Sequence, residues 1–104
     1  MRTSTHYKGG FTGGMKVGHV AEAFGMKAEV HGGGHNNLHL CLALPNNTYY
    51  EDLVIDVEDI EAKGNGQLKF ENGMYSFKEQ VAGVGIEYDH DELEKISIQK
   101  YEKF

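Results

Sequence analysis

With 104 residues the chain has room for one domain, and a chain this short buries barely enough surface to hold itself folded. Its ten Lys and Arg are scattered singly against sixteen Asp and Glu, a formal net charge of −6 that leaves no basic stripe for a nucleic-acid backbone. No apolar run approaches a membrane span, the first five residues carry no secretory signal, and the single Cys41 excludes an internal disulfide framework. The expectation is a cytoplasmic protein that binds neither nucleic acid nor membrane.

Met15, Val17, Val20, Ala21 and Phe24 recur at helical spacing, which predicts a helix over residues 12–24 with Thr12 as N-cap and Gly25 just past its end. Residues 27–31 read as a short buried strand centred on Ala28, Glu29 and Val30, with His31 at its carboxyl end. Gly32, Gly33 and Gly34 then strip the backbone of side chains, which permits positive φ and the close approach of a ligand. Residues 37–44 are apolar enough for a short buried helix that Pro45 ends, and residues 48–50 resume as a strand leading into Glu51.

Helix, strand, helix and strand with short links form the βα alternation of a parallel sheet, whose carboxyl-edge loops make the site. His31 and Glu51 then fall on one edge. Beyond Asp52 come an apolar run at residues 53–55, a polar link with Gly64 and Gly66, and a hairpin signature over residues 68–77 around Asn72-Gly73. Residues 91–96 fit a short helix, and His90 supports its start.

His31-Gly32-Gly33-Gly34 has the look of an esterase oxyanion loop, but the G-x-S-x-G nucleophile elbow is missing. A phosphate cradle would follow its glycines with Lys and Ser or Thr, whereas His35 and Asn36 stand there. His31, His35 and His39 are spaced four apart, which raises a metal site, although the glycines interrupt any continuous helix through all three. His31 beside space cleared by glycine, with the carboxylate of Glu51 on the same edge, is the stronger pair.

Lys8-Gly9-Gly10-Phe11-Thr12-Gly13, Ala21-Glu22-Ala23-Phe24-Gly25-Met26, His31-Gly32-Gly33-Gly34 and Tyr49-Tyr50-Glu51, in that order and spacing, resemble the last βα turns of the mandelate racemase and muconate lactonizing enzyme group of the enolase superfamily. Gly83-Val84-Gly85-Ile86-Glu87-Tyr88-Asp89 resembles the segment that returns to the capping domain in sugar-acid dehydratases of that group, with Ala82 where those relatives commonly carry proline. The resemblance implies a base that removes the proton α to a substrate carboxylate and Mg²⁺ that stabilises the enediolate. It implies His31 as that base, able in a dehydratase to act also as general acid, and Glu51 as the acid that hydrogen-bonds the substrate carboxylate.

Relatives with a His base orient it with an Asp on the preceding strand, but residues 1–7 offer only Arg2, Thr3, Ser4, Thr5 and His6 as polar candidates. The three carboxylates that hold Mg²⁺ in the family have no counterpart in this chain, and a closed barrel takes roughly 250 residues. The expected fold is therefore α/β: a partial (β/α) barrel of terminal βα units over residues 1–60, then a β-hairpin and short capping segment over residues 61–104. The expected function is the C-terminal part of an acid-sugar dehydratase or racemase, inactive by itself and with no cofactor of its own. Its partners would be the missing amino-terminal barrel part or further copies of itself. His31 and Glu51 are the candidate catalytic residues, and Gly32, Gly33, Lys8 and His6 the candidates for substrate binding. The alternatives are a small non-catalytic module for a carboxylate or sugar, and a His-rich metal-binding domain.

Overall fold

The computed structural model describes residues 1–53, 68–78, 82–86 and 88–97. The polar link at Gly64 and Gly66, most of the apolar run at 53–55 and the expected division at 60/61 lie outside the described residues. In chain order the elements are β1 (Arg2–Thr3), α1 (Gly10–Ala23), β2 (Glu29–Val30), α2 (His35–Ala43), β3 (Leu68–Glu71), β4 (Met74–Phe77) and α3 (His90–Ile96). β1 and β2 pair in parallel, Arg2 opposite Glu29 and Thr3 opposite Val30, with α1 as their crossover. The βα alternation and the hairpin are present; a closed barrel is not shown.

α1 starts two residues before the expected N-cap. Gly9 takes the N-cap position in the left-handed region with no side-chain cap, and Thr12 lies inside the first turn. The Gly10 N–H is tied back to the Thr5 carbonyl at 3.1 Å, so the chain turns into the helix straight from the end of β1. Gly25, at φ +67, follows the helix as expected, with its N–H on Glu22 and that of Met26 on Ala21.

The helical period was legible in α1, but its buried face is not the one the large apolar residues mark. Gly14, Gly18 and Ala21 are buried, whereas Val20 and Phe24 are exposed. The reason is α2: a Cβ on Gly14 would stand 2.7 Å from Leu40 Cδ2, and one on Gly18 2.2 Å from Leu44 Cδ2. The two leucines lean on hydrogen-sized positions, so the helices approach more closely than side chains at those points would allow. Thr3 Oγ1 donates to the Gly14 carbonyl at 3.1 Å and joins β1 to the same face. Ala21, Ala28, Val30, Leu40, Cys41 and Leu44 form the core, and Met15 and Tyr50 pack against it.

Residues 48–50 were expected as a strand and do not form one. The outward N–H groups of β2 are taken before a ladder can start: Ala28 donates to the Asn46 carbonyl at 3.1 Å and Val30 to Asn47 Oδ1 at 3.2 Å. Thr48 then bonds the Glu29 carboxylate through its N–H at 3.1 Å and its hydroxyl at 2.5 Å. The Asn46 main-chain carbonyl and the Asn47 side chain thus occupy the edge that strand pairing would have used. The outer edge of β1 has no strand partner among the described residues.

β3 and β4 pair antiparallel from Leu68 opposite Phe77 to Glu71 opposite Met74. Asn72 and Gly73, at φ 52 and 77, make the tight turn. α3 begins at His90, one residue before the expected start, because Asp89 accepts from the N–H groups of Asp91 and Glu92 at 3.0 Å each.

Candidate active site

The carboxyl end of β2 delivers His31, and the segment after α2 returns Glu51 to it. His31 Nδ1 lies 2.5 Å from Glu51 Oε2, and the same oxygen accepts the Gly32 N–H at 2.9 Å. Glu51 Oε1 accepts from the Arg2 guanidinium at 2.7 Å. The Gly32 N–H above all, with the His31 ring and the Arg2 charge adding to it, holds the Glu51 carboxyl below the usual carboxylate range despite the opposing effect of burial. An ionised carboxylate only accepts, so Nδ1 carries the proton, and in the neutral ring Nε2 is the acceptor. The His31 side chain is 40% exposed and that of Glu51 22%, so the ring is the member of the pair that a ligand can meet.

The glycine loop serves this contact through its backbone. Gly32, at φ +95, turns its N–H onto Glu51, and Gly34, at φ +88, donates to the Tyr50 hydroxyl at 2.7 Å. Gly33 passes so close to Asp52 that a Cβ would stand 2.9 Å from Oδ1. The N–H groups of Gly32 and Gly34 are therefore committed within the protein, unlike those of an oxyanion or phosphate loop. Burial keeps the Tyr50 hydroxyl protonated far above its ordinary range despite the Gly34 N–H, and burial pushes the Cys41 thiol up to about 11, which removes it as a nucleophile.

Of the other candidates, His6 is exposed with its ring beside the loop, since a Cβ on Gly32 would be 3.9 Å from His6 Nδ1. Lys8 is exposed in the turn before α1, and no contact joins it to His31 or Glu51 among the described residues. His35 and His39 share α2, but His39 stacks on Phe77 with ring centroids 4.3 Å apart and meets the Val84 carbonyl through Nε2 at 3.1 Å. The three histidines do not converge, which takes the geometry away from the metal-binding alternative.

Sequence reasoning missed Arg2 as a partner of Glu51, and with it Tyr50, Asp52 and Tyr75. The Tyr75 hydroxyl donates to Asp52 Oδ2 at 2.5 Å, and its ring lies 4.6 Å from that of Tyr50. Nothing in the spacing announces these contacts, because they join segments far apart in the chain. Only the alternation of Tyr50 and Glu51 about a strand-like backbone hinted that neighbours there face different partners.

The fold thus places a histidine and a carboxylate together at the carboxyl edge of a parallel βα unit, the edge at which open α/β sheets carry their ligands. The chain belongs to the enolase C-terminal domain-like family, whose profile matches residues 1–92. Neither the curated proteins nor the solved structures compared with it give a match.

Proposed function

We propose that His31 is the base of an acid-sugar dehydratase or racemase site, taking the proton α to the substrate carboxylate on Nε2. The observation that carries this reading is the 2.5 Å contact of Nδ1 with Glu51. A carboxylate on one ring nitrogen fixes the tautomer, aims the other nitrogen outward and favours the imidazolium formed when the proton arrives. The C–H electron pair passes into the carboxylate as an enediolate, and the proton stays on Nε2 for return to carbon or delivery to a leaving hydroxyl. Glu51 in this reading orients His31, the duty that relatives give to an Asp on the preceding strand, rather than touching the substrate carboxylate. His6 and the Gly32–Gly33 turn flank the approach to the ring, and Lys8 attracts the acid from further out.

Mg²⁺, which the family implies, does not fit the residues at hand. Among the described residues no group of three His, Cys, Asp or Glu side chains could hold a metal, and Glu51 is already shared by Arg2, His31 and Gly32.

Assays of a panel of sugar acids with excess Mg²⁺ test the reading. We expect the chain alone to be silent, and turnover to arise when the amino-terminal part of a family barrel is supplied in trans and to vanish with His31→Asn. Turnover that survives His31→Asn would overturn it. We also propose that the chain pairs with such a part or with itself, since Phe24 and Leu42 are 76% and 70% exposed and β1 offers an open edge. Sedimentation at micromolar concentration should give more than the monomer mass; a single sharp monomer would contradict it.

A further inference from the structure

Asn37, in the first turn of α2, is fully buried, yet its amide is the meeting point of five hydrogen bonds. Oδ1 accepts the Thr5 N–H and the Thr5 hydroxyl, each at 2.9 Å. Nδ2 donates to the carbonyls of His31, Gly32 and Gly33 at 3.1, 3.1 and 3.2 Å, three acceptors sharing two protons. The partners fix which way round the amide sits: reversed, it would set oxygen against three carbonyl oxygens and a second donor against the Thr5 N–H. One side chain therefore ties the segment after β1 to the whole turn that follows β2.

The consequence falls on the site. Three successive carbonyls converge on one nitrogen only if the backbone wraps around it, and the wrapped turn, with Gly32 at φ +95, brings the Gly32 N–H to Glu51 Oε2. That is the oxygen His31 Nδ1 also meets. We propose that Asn37 is the positioning residue of the His31–Glu51 pair: it touches no substrate and sets, through the backbone of residues 31–33, the angle at which ring and carboxylate meet. An apolar residue of the same size would leave the turn's carbonyls unpaired, and Asp would face them with an acceptor. The inference rests on His31 being the working group, but its test reads the ring rather than turnover, so a failed search for a substrate leaves it standing.

The experiment is nitrogen-15 spectroscopy of the histidine rings at neutral pH, with exposed His19 on α1 as the internal control. In the wild-type chain we expect His31 to hold one tautomer with the proton on Nδ1, and the Asn37 side-chain amide protons to be protected from exchange. In Asn37→Asp we expect His31 to average between tautomers while His19 is unchanged. Thr5→Val removes one of the five bonds and should speed exchange of the Asn37 amide roughly fivefold, the loss of one neutral hydrogen bond. A folded Asn37→Asp chain that keeps the wild-type His31 tautomer overturns the proposal. Should that variant not fold, wild-type Asn37 protons exchanging as fast as a free amide, or unmoved by Thr5→Val, overturn it equally.

Discussion

The βα part, residues 1–53, and the hairpin that follows it are held by different physics. The first keeps Val30 and Leu40 fully away from water and closes α1 onto α2 through glycines. The hairpin buries no side chain of its own: Phe70 and Met74 are 64% and 68% exposed, and it attaches through Phe77 against His35 and His39 and through Tyr75 against Tyr50 and Asp52. A few aromatic contacts suffice to place an element, whereas only the continuous apolar contact of the first part can resist unfolding.

Leu40→Ala is the strongest way to break that contrast. It empties the space over Gly14 at the centre of the helix contact and should cost ~2–5 kcal/mol, enough to abolish a cooperative thermal transition in a chain of marginal stability. Phe70→Ala in the hairpin is the control, and equal losses from the two would erase the difference between the regions.

Acid should act on the first region, at the Glu51 carboxylate, and not on the hairpin's attachment. Glu51 has its folded carboxyl held below the unfolded value, so its contribution is complete above the ordinary carboxylate range and is lost as pH falls through the folded value, below about 4.3. We expect the Gly32 amide and His31 ring signals to shift together in that window, and Glu51→Gln to flatten the acid-side slope of a melting series. An unchanged slope would separate Glu51 from the fold.

The smallest effect belongs to Tyr75→Phe. It deletes the hydroxyl bond to Asp52 but keeps the ring on Tyr50, a loss within about 1 kcal/mol at an exposed position. Melting should barely move, and contacts between Phe77 and His39 should persist in proton spectra. A hairpin that detaches altogether would mean that the hydroxyl, and not the stacked rings, holds it.

What could be read from the sequence follows how local its causes are. The α1 period, the stop at Gly25, the Asn72-Gly73 turn and the start of α3 near Asp89 are set within a few residues, and each was legible to within one or two positions. The buried face of α1 was not, since Leu40 and Leu44 choose Gly14 and Gly18 from across the contact. The lost strand at residues 48–50 has a similar origin, because Asn46 and Asn47 act as edge ligands and not as mere helix stoppers. At the site, His31 and Glu51 could be paired by topology. The family resemblance points to residues 1–7, on the preceding strand, for the carboxylate beside the ring, whereas the ring's carboxylate contact is with Glu51, whose other oxygen meets Arg2.

The Asn46 main-chain carbonyl and the Asn47 side-chain amide have a consequence for assembly. A sheet that grows by adding molecules side to side needs two reactive edges on each, as a polymer needs two functional groups per monomer. Here the β2 edge is end-capped, with the Ala28 and Val30 N–H groups already satisfied, and the β1 edge alone is reactive among the described residues. Addition through the parallel sheet would therefore be chain-stopped: were two copies to join β1 to β1, the pair would have no parallel-sheet edge left among the described residues on which a fibre could propagate.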